Sequence, residues 1–319
     1  MLLKDPLVSI VIPVYNGSDY VQAAIESALR ETYQNKEIIV VNDGSDDNGA
    51  TAAICRAFGE KIRYFEKENG GVSSALNLAL QEMKGEWFSW LSHDDLYAPN
   101  KIEMQINLLK QRGLTEKDRV IVYGGSEQIS EKGTRVLGRK NRFKGLFSGE
   151  EMLCKTLENS ASIVGLSLLI PKEAFAVCGA FDERFSYIQD ASMWRRMMLA
   201  GFSFLCHRDP VVSVRVHKNQ VSKKAHDLWL QETVTDTTAL CKTLFSNYSE
   251  NRRVIRALWR WSLVQNVKPL QREMEANLLE NSVSPFSVLL KKVFPSLRGM
   301  VFRSLRWAYY RFYKNKFRS

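Results

Sequence analysis

The sequence predicts an α/β protein with a largely parallel sheet that is flanked by helices. Three observations favour this fold class: strand-like and helix-like segments alternate through the first 110 residues, the strand-like runs are almost wholly apolar, and each ends in polar or glycine-containing residues. Continuous apolar strands that alternate with helices are typical of parallel sheets covered on both faces.

The first half of the predicted sheet follows in strict order. The strands are "VSIVIPVY" from residue 8, "KEIIVVND" from residue 36, "KIRYFE" from residue 61 and "EWFSWLS" from residue 86. Between and after them we expect helices over residues 19–30, after the turn at 44–48, over 72–83 and from about Pro99. The third helix has apolar side chains at i, i+3 and i+4 spacing, which is the pattern of a helix with one buried face.

The pattern loosens after residue 113. Further strands are expected at "RVIVYGG", "GLSLLIP" and "VVSVRVH", with helices around residues 149–157, 171–177 and 190–200. Beyond about residue 221 only helical patterns remain. We therefore expect two domains, an α/β domain over residues 1–222 and a helical extension over residues 223–319.

Cysteine usage and hydropathy limit the class of protein. The five cysteines are scattered, and no pair has the spacing of a zinc or redox site. The N-terminal apolar residues run straight into the first strand, so no signal peptide is expected, and no apolar stretch is long enough to span a bilayer. These features favour a cytoplasmic protein with free thiols.

The positive charge is concentrated at the C-terminal end. Nine of the 45 basic residues follow Glu280, where no acidic residue occurs, so 36 basic and 35 acidic residues precede that point. Residues 298–318 also place apolar and aromatic side chains on one helical face and basic ones on the other. This pattern predicts a helix that lies on an anionic membrane, and the alternative is a helix packed on the rest of the chain with a solvated basic face.

Polar residues and glycines follow each of the first four strands. The segments are "PVYNGSDY", "NDGSDDNG", "EKENGG" and "SHDD". Each piece has a structural alternative, since Asp43-Gly44 can be a plain turn and Asn69-Gly70-Gly71 a helix entry. Because the carboxyl ends of parallel strands share one edge of a sheet, their convergence predicts a site for base, ribose, diphosphate and metal.

These segments resemble a known family. The motifs "PVYN", "VVNDGSDD", "NGGVSSALN", "SHDD", "GAFDERFSYIQD" and "VRVHKNQVS" occur in the order found in inverting glycosyltransferases of family 2, over roughly residues 6–222. The resemblance implies the GT-A fold, a Rossmann-like, mostly parallel mixed sheet flanked by helices.

The resemblance also implies how the donor binds. The aspartate of "NDGS", here Asp43, pairs with the nucleobase in this family, and a carboxylate can accept the N3–H of uracil. Thymine presents the same edge, so the donor is expected to be a UDP-sugar or, less favoured, a dTDP-sugar. The residues expected to contact the donor are Pro13, Tyr15, Asn16, Asp43, Asn69, Gly71, Ser92 and His93.

A metal site is implied at "SHDD". Asp94 matches the third position of the family's D-x-D motif, and its carboxylate is a suitable hard oxygen ligand for Mn²⁺ or Mg²⁺. His217 matches a late histidine that can reach the same metal, although a lone histidine is more often structural. Asp95 is expected to cap the following turn instead. Arg215 and Lys218 are expected to contact phosphate or loops, or to be solvated charges.

The resemblance implies that Asp190 is the catalytic base. Inversion needs one base that takes the proton of the acceptor hydroxyl, without a second nucleophilic carboxylate. Asp190 precedes an amphipathic helix, so N-capping is its structural alternative. The chain departs from the family pattern at Ser92, where aspartate is common, at Leu76, where arginine is usual, and at Gln189, where glutamate is usual.

Taken together, these features predict a metal-dependent transferase that moves a sugar to a hydroxyl of a lipid-linked glycan in surface-polysaccharide assembly. We expect it at the inner face of the cell membrane, held by an anionic surface, with no nucleic-acid partner. One alternative is a catalytically degenerate partner that anchors another glycosyltransferase to the membrane. A nucleotidyltransferase would need a glycine-rich basic loop after the first strand, which "PVYNGSDY" does not provide.

Overall fold

The structure is a computed structural model, and it describes residues 5–139, 141–159, 163–217, 226–246 and 248–280. The chain divides into two compact units, one of residues 1–152 and 162–226 and the other of residues 153–161 and 227–319. The boundary predicted after residue 222 lies outside the described residues, as does Lys218.

The first unit contains the sheet. Its strands are β1 Val8–Val14, β2 Lys36–Asp43, β3 Arg63–Lys67, β4 Trp87–Trp90, β5 Leu96–Tyr97, β6 Val120–Ser130, β7 Arg135–Arg139, β8 Gly145–Phe147, β9 Leu168–Pro171 and β10 Ser203–Val216. The helices that begin in it are α1 Val21–Leu29, α2 Ala50–Arg56, α3 Val72–Glu82, α4 Lys101–Gln111, α5 Gly149–Glu158, α6 Glu173–Cys178 and α7 Gln189–Leu199.

The described strands form one mixed sheet in the order β3–β2–β1–β4–β9–β6–β10–β5, with β7 beside β6 and β8 beside β10. The first four strands are parallel to one another, and β6 is parallel to β10. Strand β9 is antiparallel to both β4 and β6, which joins the two parallel parts. The predicted α/β class with a mixed, helix-flanked sheet is therefore confirmed.

Strand β1 lies at the centre of the first parallel part. All seven of its residues are buried, which explains its nearly continuous apolar sequence. Its pairing with β2 runs from Val8 to Val14, whereas its pairing with β4 ends at Val11 opposite Trp90. Pro13, which has no N–H to donate, thus lies beyond the last residue pair between β1 and β4. This separation opens the carboxyl edge of the sheet beside β1.

Several elements differ from the sequence prediction. The run "GLSLLIP" begins with a 3₁₀ turn at Gly165–Ser167, so only its second half is strand. The strand predicted at residue 211 starts earlier, at Ser203, because the charged residues of "CHRDP" continue the strand through a bulge. Strands β5, β7 and β8 were not predicted, since two to five residues carry too little periodicity to show a strand.

The second unit is helical in its described part. It contains the end of α5 and the helices α8 His226–Phe245, α9 Tyr248–Gln265 and α10 Lys268–Glu280. Within α9 the apolar face is buried, and the exposed face carries Arg252, Arg253, Arg256 and Arg260. None of the helices in the described ranges has both the length and the apolar character needed to cross a bilayer. The amphipathic helix expected at residues 298–318 lies outside those ranges.

Candidate active site

The loops after β1 and β2 are joined at the carboxyl edge of the sheet. The side-chain amide of Asn16 donates to Asp46 Oδ1 at 2.6 Å, and its oxygen accepts from Asp46 N at 2.9 Å. Ser45 Oγ accepts from Asn16 N, which is possible because Asn16 has the left-handed φ of 47°. Tyr15 is 42% exposed, and its hydroxyl donates to Asp46 Oδ1 at 3.3 Å.

Asp43, the expected base-binding residue, is a buried carboxylate that accepts hydrogen bonds from several groups. It is only 3% exposed, and its Oδ1 accepts from Gly70 N at 3.1 Å while its Oδ2 accepts from Gly71 N at 2.7 Å. Lys67 Nζ donates to Oδ1 at 2.8 Å. Three donors therefore hold an anionic carboxylate at the end of β2.

Close backbone approach shapes this corner. Gly44 has a φ of 68°, and a Cβ at this position would lie 2.6 Å from Asn69 N. The predicted turn at Asp43-Gly44 and the predicted helix entry at Asn69 are thus in direct contact. Gly71 also has a positive φ, of 86°, and directly precedes α3.

Ser92 and His93 follow β4 and face the loop after β1. His93 hydrogen-bonds to the Pro13 backbone and packs on Gly17, where a Cβ would lie 2.6 Å from the ring. Burial lowers the pKa of His93, and the neighbouring Asp94 opposes that shift. Ser92 is partly buried, and its carbonyl accepts from Asp95 N in a tight turn. The structure therefore places both residues at the carboxyl edge of the sheet.

Asp94 and His217 meet although 123 residues separate them. Asp94 Oδ2 lies 2.9 Å from His217 Nε2, and Arg215 Nε donates to the Asp94 carbonyl at 2.8 Å. Arg215 also donates to the Glu131 carbonyl and stacks over Tyr20, whose ring centroid lies 5.1 Å from that of His217. Arg215 therefore makes the expected loop contacts, and at 5% exposure it is not a solvated charge.

Asp95 does not cap the following turn or helix, as the sequence suggested. It is 5% exposed and its Oδ1 accepts from Arg215 N at 2.7 Å, so it fastens β10 to the loop after β4. Burial and the neighbouring Asp94 raise the pKa of Asp95 well above its usual value. The helix that follows begins after Asn100, without a side-chain cap.

Asp190 lies in the first turn of α7. The helix begins at Gln189 with Ile188 at the N-cap, so the N-capping alternative for Asp190 is wrong. Its Oδ1 accepts from Ala191 N at 2.6 Å. Burial raises the pKa of Asp190, and the charge of Arg195 opposes that shift. A buried carboxyl group with a raised pKa is suited to accept a proton.

Asp43, Lys67 and the segment Asn69–Gly71 form a corner that is called the donor corner below, after its expected ligand. Helix α3 connects this corner to the segment before α7. Asn77 donates to the Phe181 carbonyl at 3.0 Å and accepts from Phe181 N at 2.8 Å, and Ser73 Oγ donates to the Phe185 carbonyl. Leu76, at the position where the family usually has arginine, is fully buried. The sequence reasoning missed Lys67 and Asn77 as members of the site, although both lie within or beside the quoted motifs.

The mixed sheet, with Asp43 at the end of β2 and the Asp94–His217 pair after β4 at one edge, is that of a GT-A fold. The family model for glycosyl transferase family 2 matches residues 9–175. The chain therefore belongs to glycosyltransferase family 2.

Individual relatives agree with this assignment. The chain is similar to an uncharacterized glycosyltransferase of Rickettsia typhi, with 47% identity over 222 residues that make up 69% of this chain and 67% of the relative. It is 43% identical over 245 residues to a glycosyltransferase of Rickettsia felis, covering 76% of this chain but only 38% of that longer protein.

Solved structures share the fold. The structure of S. aureus TarS in complex with UDP-GlcNAc superposes with a TM-score of 0.62 at 14% identity, over 80% of this chain and 71% of TarS.

Proposed function

We propose that this chain is an inverting, metal-dependent glycosyltransferase that uses a UDP-sugar as donor. The observation that carries the proposal is the shared edge of β2, β1 and β4, where Asp43 presents an anchored carboxylate and Asp94 meets His217. Family membership supports the reaction class, and the TarS complex supports a nucleotide-sugar donor.

The donor would be held mainly by groups that are already in place. Asp43 would accept the N3–H of uracil, and Tyr15 offers an exposed ring beside the base or ribose. Asn69 and Gly71 supply backbone at the entry of α3, and Ser92 and His93 follow β4. Binding to preformed groups costs little ordering of side chains, so more of the contact energy remains as affinity.

Asp94 and His217 would hold the metal. A carboxylate with an imidazole suits Mn²⁺, and Mg²⁺ typically takes one or two carboxylates together with substrate phosphates. In the described ranges no three His, Cys, Asp or Glu side chains are grouped as a complete metal site. Two protein ligands therefore fit a metal that completes its coordination shell with phosphate oxygens of the nucleotide sugar and with water. When bound, the metal would neutralise charge on the nucleotide-diphosphate leaving group.

Asp190 would act as the base. It would take the proton of the acceptor hydroxyl while that oxygen attacks the anomeric carbon, and the bond to the diphosphate would break on the opposite face. One carboxylate is sufficient for this displacement. The pKa of Asp190, which burial raises, favours transfer of the proton to it.

The acceptor we propose is a lipid-linked glycan at the cytoplasmic face of the membrane. Support comes from the basic composition of residues 281–319 and from the exposed arginines of α9. Each basic residue near an anionic leaflet contributes about 1 kcal/mol, so several together suffice for reversible attachment.

The test is donor hydrolysis by purified full-length protein across a panel of UDP-, dTDP-, GDP- and CDP-sugars with Mn²⁺ or Mg²⁺. We expect slow hydrolysis of one UDP-sugar, loss of hydrolysis with EDTA, and none by the Asp94→Ala variant. If no nucleotide sugar is bound or hydrolysed, the chain is better explained as a degenerate partner of another transferase. Co-sedimentation with anionic and zwitterionic vesicles tests the membrane attachment separately.

A further inference from the structure

Lys67 is a charged residue of the donor corner that no motif of the family assigns. It ends β3, and the parallel register places it directly opposite Asp43 of β2. Its ammonium donates to Asp43 Oδ1 at 2.8 Å and also to the Glu68 carbonyl. The Lys67 side chain is 23% exposed, against 5% for Asp43, so the lysine forms the more accessible member of the pair.

The neighbouring glycine makes this contact possible. A Cβ at Gly70 would lie 2.9 Å from Lys67 Nζ and 2.8 Å from Ser74 Oγ. A larger residue at position 70 would displace the ammonium or Ser74. The segment "EKENGG" therefore supplies the lysine and also the space that lets it fold back toward Asp43.

The hydrogen bonds leave a defined pattern of free positions. Oδ1 of Asp43 accepts from Lys67 and Gly70, while Oδ2 accepts only from Gly71 among the described residues. A carboxylate oxygen has two lone pairs, so one acceptor position remains on Oδ2. The Lys67 ammonium has three N–H donors, of which Asp43 and Glu68 take two. The corner thus offers one acceptor beside one donor.

We infer that Lys67, together with Asp43, selects the uracil of the donor by donating to a carbonyl beside N3–H. This inference rests on the proposed function and goes beyond it by assigning the choice of base. Uracil presents N3–H between two carbonyls and matches one acceptor beside one donor. Cytosine presents a bare N3 acceptor, which would oppose the Asp43 carboxylate, and where uracil has its 4-carbonyl it has an amino group, which cannot accept from Lys67. Guanine also presents an N–H beside a carbonyl, but its 2-amino group adds a donor for which no second free carboxylate position remains.

The test is calorimetric binding of UDP, dTDP, CDP and GDP to full-length protein at one Mn²⁺ concentration. Wild-type protein should bind UDP and dTDP at least about tenfold more tightly than CDP, since an unpaired buried polar group is costly. Lys67→Met keeps the aliphatic stem and should reduce UDP affinity about tenfold, with CDP affinity unchanged or higher. Lys61→Met, at an exposed lysine before β3, is the matched control and should behave as wild type.

Sulfur analogues of UDP test whether Lys67 contacts the base or only stabilises the folded protein. Replacing O2 or O4 by sulfur weakens a hydrogen-bond acceptor, so one of the two analogues should bind wild-type protein less tightly than UDP. Lys67→Met should bind UDP and that analogue equally. An unchanged UDP-to-CDP ratio in Lys67→Met would overturn the inference and leave the proposed function standing. Failure of wild-type protein to bind any of the four nucleotides would overturn both.

Discussion

The carboxylates of Asp43 and Asp190 belong to two regions of the first unit that are built in opposite ways. Asp43, at the donor edge, receives three N–H donors from β3 and the entry of α3. Asp190, in α7, accepts from Ala191 N, and burial raises its pKa. Asp43 is thus fixed in position by several polar contacts, whereas the main influence on Asp190 is burial. The contrast supports the proposed roles, in which Asp43 binds the donor and Asp190 takes up a proton.

The largest expected effect is at Asp190. We predict that Asp190→Asn reduces sugar transfer by about 10³-fold, within the range for loss of a general base, while UDP affinity stays within a factor of two. Initial transfer rates and calorimetry measure the two quantities. Asp209→Asn, at an exposed aspartate of β10, is the control. Near-normal transfer by Asp190→Asn would end its assignment as the base.

The sequence could predict the parts of this contrast that depend on local pattern. The apolar runs of β1, β2 and β4 place Asp43 and Asp94 after strands, and the parallel order then places both at one edge. The motif order supplied their roles as expectations. The helix predicted around residues 190–200 likewise placed Asp190 near the start of α7.

The rest depends on contacts between distant residues. Arg215 meets the Asp94 carbonyl across 121 residues, and Asn77 meets Phe181 across 104. Lys67 reaches Asp43 only because the β2–β3 register aligns them and Gly70 leaves space. No pattern in one sequence records these distances, so Asp95 was expected to cap a turn when it instead fastens β10.

A second prediction concerns Asp94, which lies at the donor edge but would bind metal rather than base. We predict that Asp94→Ala weakens UDP binding in the presence of Mn²⁺ by about 100-fold, since loss of a metal contact removes a charge-assisted interaction. In metal-free buffer, wild type and variant should bind UDP equally, which provides the control. An unchanged affinity with Mn²⁺ would remove Asp94 from the metal site.

The rigidity of the donor corner can be tested at Gly44. A methyl group there would meet the Asn69 backbone at 2.6 Å and would also occupy a positive φ, so Gly44→Ala should lower the free energy of unfolding by about 2–3 kcal/mol. Gly49→Ala is the matched control, because Gly49 has a φ of 79° and nothing within 4 Å. It should cost about 1 kcal/mol. Urea unfolding measures both, and equal costs would show that the two loops are not in contact.

The pH dependence of transfer tests the other region. A base acts when it is deprotonated, and burial raises the pKa of Asp190. As the pH is lowered, the rate at saturating donor should therefore begin to fall at a pH that is still above the ordinary aspartate pKa of about 3.9. Below the raised pKa the rate should fall about tenfold per pH unit.

The ionised buried carboxyl group of Asp190 also lowers the stability of the folded protein above its unfolded-state pKa. The melting temperature of Asp190→Asn relative to wild type should therefore rise with pH through the interval between the two pKa values. A parallel pH profile for the two proteins would contradict this.

The smallest expected effect tests the link between the two regions. Asn77 of α3 exchanges two hydrogen bonds with the backbone of Phe181 and so positions the segment that leads to Asp190. Each such bond contributes about 0.5–1.5 kcal/mol, so Asn77→Ala should lower kcat roughly fivefold, with UDP affinity unchanged because Asp43 keeps its donors. Asn77→Asp can accept the hydrogen bond from Phe181 N but cannot donate to the Phe181 carbonyl. Its kcat should therefore lie between those of wild type and Asn77→Ala. A change in UDP affinity with constant kcat would instead show that Asn77 supports the donor corner. In that case Asn77 would not link the region of Asp43 to that of Asp190.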